Sequence, residues 1–152
     1  MQKLFINTDG GSRGNPGPAG IGIVFYNEKE EEIFCCNKFI GVATNNEAEY
    51  GAIILALETL LKSKWLKENN SIGNKVVCRL DSQLVVEQIN GNYKVKQDHL
   101  KKFIEQINTL KEKFNLDISF LHVFREKNKR ADELVNQALD EELKQNKNEN
   151  IN

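Results

Sequence analysis

Residues 4–20, LFINTDGGSRGNPGPAG, join an apolar run to a stretch rich in glycine and proline. The first six, LFINTD, have the composition of a strand closed by Asp9, and residues 10–20 read as a turn. No Gly-Lys-Ser/Thr follows, so this is not a Walker phosphate loop. Nor does it open a helix, as a dinucleotide fingerprint must. What is left is a strand that delivers a carboxylate to a glycine-rich edge, where backbone can approach a ligand closely.

Working outward, residues 21–26 and 33–40 are β-prone runs on either side of a hairpin signal at 27–32. Thr44 then opens the most regular helix, with Tyr50, Ile53, Ile54, Leu57, Leu60 and Leu61 spaced along one face. Residues 69–74 are turn-like, 76–81 (VVCRLD) form a short buried strand, and 82–89 a short helix broken at Asn90-Gly91. A second long helix is expected at about 97–113, a last strand at 118–124, and a last helix around Ala131, Leu134, Val135 and Ala138. This order predicts an α/β fold, a five-stranded mixed sheet of three antiparallel strands and then parallel ones, flanked by helices. From Glu141 onward only Leu143 and Ile151 are strongly apolar. Residues 1–140 are therefore expected to form the domain and 141–152 a polar, flexible tail.

Composition narrows the class. The 152 residues suit one domain, and 39% apolar with 28% charged residues allows a packed core. Twenty-one basic against 22 acidic residues leave a net charge of -1, so no global basic field advertises nucleic acid. No apolar stretch reaches the roughly 20 residues of a bilayer span, and Asp9 comes too early for a signal peptide. A cytoplasmic monomer with no membrane and no obligate protein partner is the expectation. Cys35, Cys36 and Cys78 lack ligand spacing and read as reduced, packed thiols, not a zinc site.

Four acids fall at element ends, where backbone can aim them into one cleft: Asp9, Glu49, Asp81 and Asp132. Gathered carboxylates repel one another unless cations neutralise them, and all-oxygen ligands favour Mg2+ or Mn2+. Each acid also has an ordinary reading. Asp9-Gly10 is turn chemistry, Asp81 a helix cap and Asp132 a first-turn acid. Glu47 and Glu49 can be separated, because Thr44-Asn45-Asn46-Glu47 fits a capping box that occupies Glu47. Glu49, beside Tyr50 on the buried stripe, is the candidate ligand.

Four segments in this order, TDGGSRGNPGPAG (8–20), TNNEAEY (44–50), LDSQLVV (80–86) and REKNKRADELVNQA (125–138), resemble type 1 ribonucleases H. The resemblance spans about residues 2–140 and implies that family's fold. It implies that Asp9, Glu49, Asp81 and Asp132 hold two Mg2+ ions, with Mn2+ as a substitute. Ions about 3.5–4 Å apart can activate water and stabilise the leaving oxygen. The implied activity is endonucleolytic hydrolysis of the RNA strand of RNA–DNA hybrids, leaving 5′-phosphate and 3′-hydroxyl ends. A same-fold nuclease acting on double-stranded RNA and a non-catalytic hybrid-binding module are the alternatives.

The resemblance also assigns substrate contacts. Gly10, Gly11, Asn15, Asn45, Asn46 and Gln83 match positions that meet the hybrid, and amides suit a 2′-hydroxyl that both donates and accepts. Tyr93, Lys94 and Lys96, with Lys101 and Lys102 behind them, border the DNA strand in this fold; a solvated helix start is the plainer reading. Well-known bacterial members carry a His on the loop before the last acid, but REKNKR (125–130) has none. His122 falls in a strand-like run and reads as packed. Arg125 is the candidate beside the phosphate, as a guanidinium that grips oxygens without acting as a base.

Overall fold

Alternating small and branched residues in the first third of the chain pair into three successive antiparallel strands. The computed structural model describes residues 1–151. Strands β1 (Lys3–Ser12), β2 (Gly17–Tyr26) and β3 (Glu32–Ala43) form the antiparallel half. β4 (Lys75–Leu80) runs parallel to β1, and β5 (Asp117–His122) parallel to β4, giving the order β3-β2-β1-β4-β5. The helices are α1 (Asn45–Leu61), α2 (Lys64–Asn69), α3 (Gln83–Ile89), α4 (Asp98–Lys111) and α5 (Lys129–Ile151). The expected α/β class and five-stranded mixed sheet are both present.

The main core lies between the sheet and α1, α3 and α4. Leu4 and Ile6 of β1 pack with Tyr50, Ile53, Leu57 and Leu60 of α1, Val76 and Cys78 of β4, Val85 of α3 and Ile107 of α4. On the other side Ala131 and Leu134 of α5 cover Val24. Two glycines set how closely the helices approach. A Cβ on Gly10 would lie 2.3 Å from the Ala48 carbonyl, and one on Gly22 would lie 2.6 Å from the Ala131 oxygen. Backbone of α1 and of α5 therefore rests directly on β1 and β2.

Several boundaries differ from those read in sequence. Residues 10–20 are mostly strand: Gly10 pairs with Ile21, Gly11 with Gly20 and Ser12 with Ala19, which confines the turn to 13–16. The short helix α2 was not expected. Six residues with two adjacent apolar ones show no helical period, and the helix rests on the Ser63 cap (Leu66 N to Ser63 Oγ, 3.1 Å) and on burial of Leu66. Helix α5 continues through residues 141–151, most of the segment expected to be a polar, flexible tail.

The cysteines are free thiols. Burial pushes Cys78 up to about 12, so it is an inert core group. Among the described residues no helix is long and apolar enough to cross a membrane.

Candidate active site

The capping box at the start of α1 determines which of its acids is spare. Thr44 Oγ1 accepts from the Glu47 amide at 3.1 Å, and Glu47 Oε1 accepts from the Thr44 amide at 2.9 Å. These bonds hold Glu47 below the usual carboxylate range. Two residues on, Glu49 is only 8% exposed, and its Oε2 is buried with no hydrogen-bond partner.

Glu49 meets Asp9 from β1 and Asp81 from the end of β4. One carboxylate oxygen from each lies within 4.8 Å of the others. Parallel pairing of β1 with β4 brings the ends carrying Asp9 and Asp81 side by side, and the close seat of α1 on Gly10 brings Glu49 over them. Asp132, in the first turn of α5, is exposed and joins the wall of the same open pocket of about 500 Å3. The structure thus brings three of the four acids together tightly and puts the fourth at their margin.

Electrostatics bear the marks of that crowding. Burial, and then repulsion from Asp81, push Asp9 up to about 7. Burial, Asp9 and Asp81 likewise hold Glu49 well above the usual range. Among the described residues none of the four acids forms an ion pair. Three converging carboxylates, one with an orphaned buried oxygen, fit a hard divalent cation. Asp9, Glu49 and Asp81 form a triad suited to divalent metal.

Comparison with known proteins agrees with this geometry. The family model described as "Reverse transcriptase-like" matches residues 7–138. A ribonuclease H of Alcanivorax borkumensis is 32% identical over 93% of this chain and 94% of its own length. The chain belongs to the ribonuclease H family. A solved ribonuclease H of this family, LC11-RNase H1 in complex with an RNA/DNA hybrid, superposes with a TM-score of 0.84. It is 45% identical and is covered over 99% of its length, against 92% of this chain. A bifunctional protein of Mycobacterium tuberculosis is 40% identical over 91% of this chain. This chain spans about a third, 36%, of that relative's length.

The other residues singled out in sequence fall around this ribonuclease H pocket unevenly. Gly10, Gly11, Asn45, Asn46 and Arg125 line it. Asn15 Oδ1 accepts from the Asn45 amide at 3.0 Å, and Asn45 Oδ1 accepts from the Ser12 amide at 2.9 Å. These two amides therefore brace the rim of the β1–β2 turn against α1. Gln83 opens α3 and is exposed, one residue beyond Ser82 on the pocket wall. Arg125 is exposed in a 3₁₀ turn, Arg125–Lys127.

Tyr93, Lys94 and Lys96 are exposed before α4, outside the pocket. Lys101 pairs with Asp98 at 3.6 Å. His122 ends β5 half-buried, edge-on to Phe124 at 5.8 Å. It does not line the pocket.

Two neighbours of the triad escaped the sequence reading. Arg13 lines the pocket and is tied to Asp140 of α5 at 2.7 Å. Asn128 is fully buried, with its amide nitrogen 3.5 Å from Asp81 Oδ2. In sequence it was one polar residue of the loop REKNKR, and nothing in its neighbours marks it as buried.

Proposed function

We propose that this chain is a metal-dependent endoribonuclease that hydrolyses the RNA strand of RNA–DNA hybrids, leaving 5′-phosphate and 3′-hydroxyl ends. The observation that carries this is the convergence of Asp9, Glu49 and Asp81 at the glycine-lined end of β1, with Asp132 beside them. Support comes from the family and from the hybrid-bound relative.

In this reading Asp9, Glu49, Asp81 and Asp132 hold two Mg2+ ions, which Mn2+ can replace. Bound there, the ions supply Lewis-acid activation of water and neutralise charge at the phosphate. Asp9, between Glu49 and Asp81, would help to hold the ions. Gly10 and Gly11 leave the strand edge bare, so the sugar–phosphate backbone can lie against main chain. Asn15, Asn45, Asn46 and Gln83 present amides to RNA 2′-hydroxyls, which DNA lacks. Arg125, which lines the same pocket, holds a phosphate oxygen, and Tyr93, Lys94 and Lys96 engage the DNA strand.

The experiment offers labelled hybrid, RNA duplex, DNA duplex and single strands, each with Mg2+, Mn2+ or EDTA. We expect cleavage of the RNA strand of the hybrid with either metal and none with EDTA. Failure to cut hybrid under every condition would overturn the proposal. Equal cutting of RNA duplex would widen the substrate class.

A further inference from the structure

We infer that Asn128 is a positioning residue that fixes Asp81 and ties together the segments carrying Asp9 and Asp132. The inference rests on the proposed role of the acids as metal ligands.

Asn128 directly precedes α5 and has 0% exposure. An asparagine there ordinarily caps the helix, its side-chain oxygen accepting from first-turn amides. This one does not. Its Oδ1 is buried without a partner, while Nδ2 donates to the Thr8 carbonyl at 2.9 Å and reaches Asp81 Oδ2 at 3.5 Å. Both targets only accept, so chemistry alone requires the nitrogen, not the oxygen, to face them. The Asn128 carbonyl in turn accepts from the Asp132 amide at 3.2 Å. One residue thus touches the peptide next to Asp9, the carboxylate of Asp81 and the backbone of Asp132.

Asp81 needs such a donor. β4 ends at Leu80, which pairs with His122, so no strand ladder holds the next residue. The loop that presents Asn128 is pinned as well. Asn7 Nδ2 donates to the Lys127 carbonyl at 3.3 Å, while Asn7 Oδ1 accepts from Arg79 Nε at 2.7 Å. Arg79 grips Glu30 with two further bonds of 2.7 and 2.9 Å. Consecutive residues of β1, Asn7 and Thr8, therefore hold consecutive residues of the loop, Lys127 and Asn128. Groups that orient metal ligands from behind commonly change metal affinity about 10- to 100-fold when removed.

The test is a Mg2+ titration of the substrate-free full chain, followed by amide chemical shifts, for the parent, Asn128→Ala and Asn128→Ser. Serine caps helices as well as asparagine does, yet it is too short to reach Asp81, so a capping role would survive that change. We expect both variants to bind Mg2+ at least about tenfold more weakly, with kcat reduced and KM for hybrid nearly unchanged. Affinity within about twofold of the parent in either folded variant would overturn the inference, whatever its thermal midpoint. So would failure of both variants to fold, which would give Asn128 a purely structural role. A parent that binds Mg2+ but does not cut hybrid would defeat the proposed function and leave this test standing. A parent that binds no Mg2+ would defeat both.

Discussion

Glu47 and Glu49 lie two residues apart on α1 in opposite circumstances. Glu47 closes a reciprocal hydrogen bond with Thr44, at 2.9 and 3.1 Å, and is held below the usual carboxylate range. Glu49 turns into the sheet, buried beside Asp9 and Asp81 with one oxygen unpartnered, and is held well above it. Glu49→Gln is expected to abolish hybrid cleavage. Glu47→Gln should keep most of it and cost at most about 1 kcal/mol of stability, since glutamine also closes a capping box. Steady-state rates and denaturant melts of both variants check this, and equal inactivation would remove the distinction.

Asp9→Asn should keep the fold and lose cleavage along with Mg2+ binding. Asp9 is buried against two other carboxylates, and neutralising it removes their repulsion. The metal-free variant is therefore expected to melt at or above the parent's midpoint. Calorimetry with and without Mg2+ separates that stabilisation from the loss of function.

Stability of the metal-free protein should fall as pH rises. The native Asp9 carboxyl titrates at about 7, well above its value in an unfolded chain, and Glu49 is raised too. Between the two values the native state binds more protons than the unfolded state, so unfolding becomes easier with increasing pH. We expect the thermal midpoint without metal to drop by several degrees from about pH 5 to about pH 8. Millimolar Mg2+ should restore it at the higher pH and do little at the lower one. A midpoint in EDTA that rises across this range would contradict the assignment.

Changing Lys94, Lys96, Lys101 and Lys102 together to Gln should raise KM for hybrid and leave kcat nearly intact. These residues are exposed and lie outside the acidic pocket, so they supply binding common to ground and transition states. The slope of log affinity against log salt should become shallower, by less than four full contacts because Lys101 is already paired with Asp98. Parallel slopes in a salt titration would return the segment to a solvated helix face.

Truncation after Asp140 should leave cleavage unchanged and stability within about 0.5 kcal/mol. Leu139 is the last buried side chain among the described residues, and the Arg13–Asp140 pair is retained. A larger loss would show that the end of α5 belongs to the domain defined here as residues 1–140.

The sequence by itself determined the elements whose cause is local. The helix of α1 follows from its apolar period and from Thr44 and Glu47, which meet within a single turn. The hairpin at 27–32, the strand before Asp81 and the capping role of Glu47 were readable for the same reason, whereas the grouping of Asp9, Glu49, Asp81 and Asp132 rested on their places at element ends and on the family resemblance. Long-range packing decided the rest. Whether Gly10 and Gly11 turn or pair depends on Ile21 and Gly20 across the ladder, so a glycine-rich string reads as a turn until its partner strand is known. Asp9, Glu49 and Asp81 are separated by tens of residues, and only parallel pairing of β1 with β4 under a closely seated α1 brings them within 4.8 Å. Asn128 looks in sequence like any polar loop residue. Burial against Thr8 and Asp81 turns it from a helix cap into a donor for the acidic site, because a side chain's hydrogen-bond partner is set by what the fold places beside it.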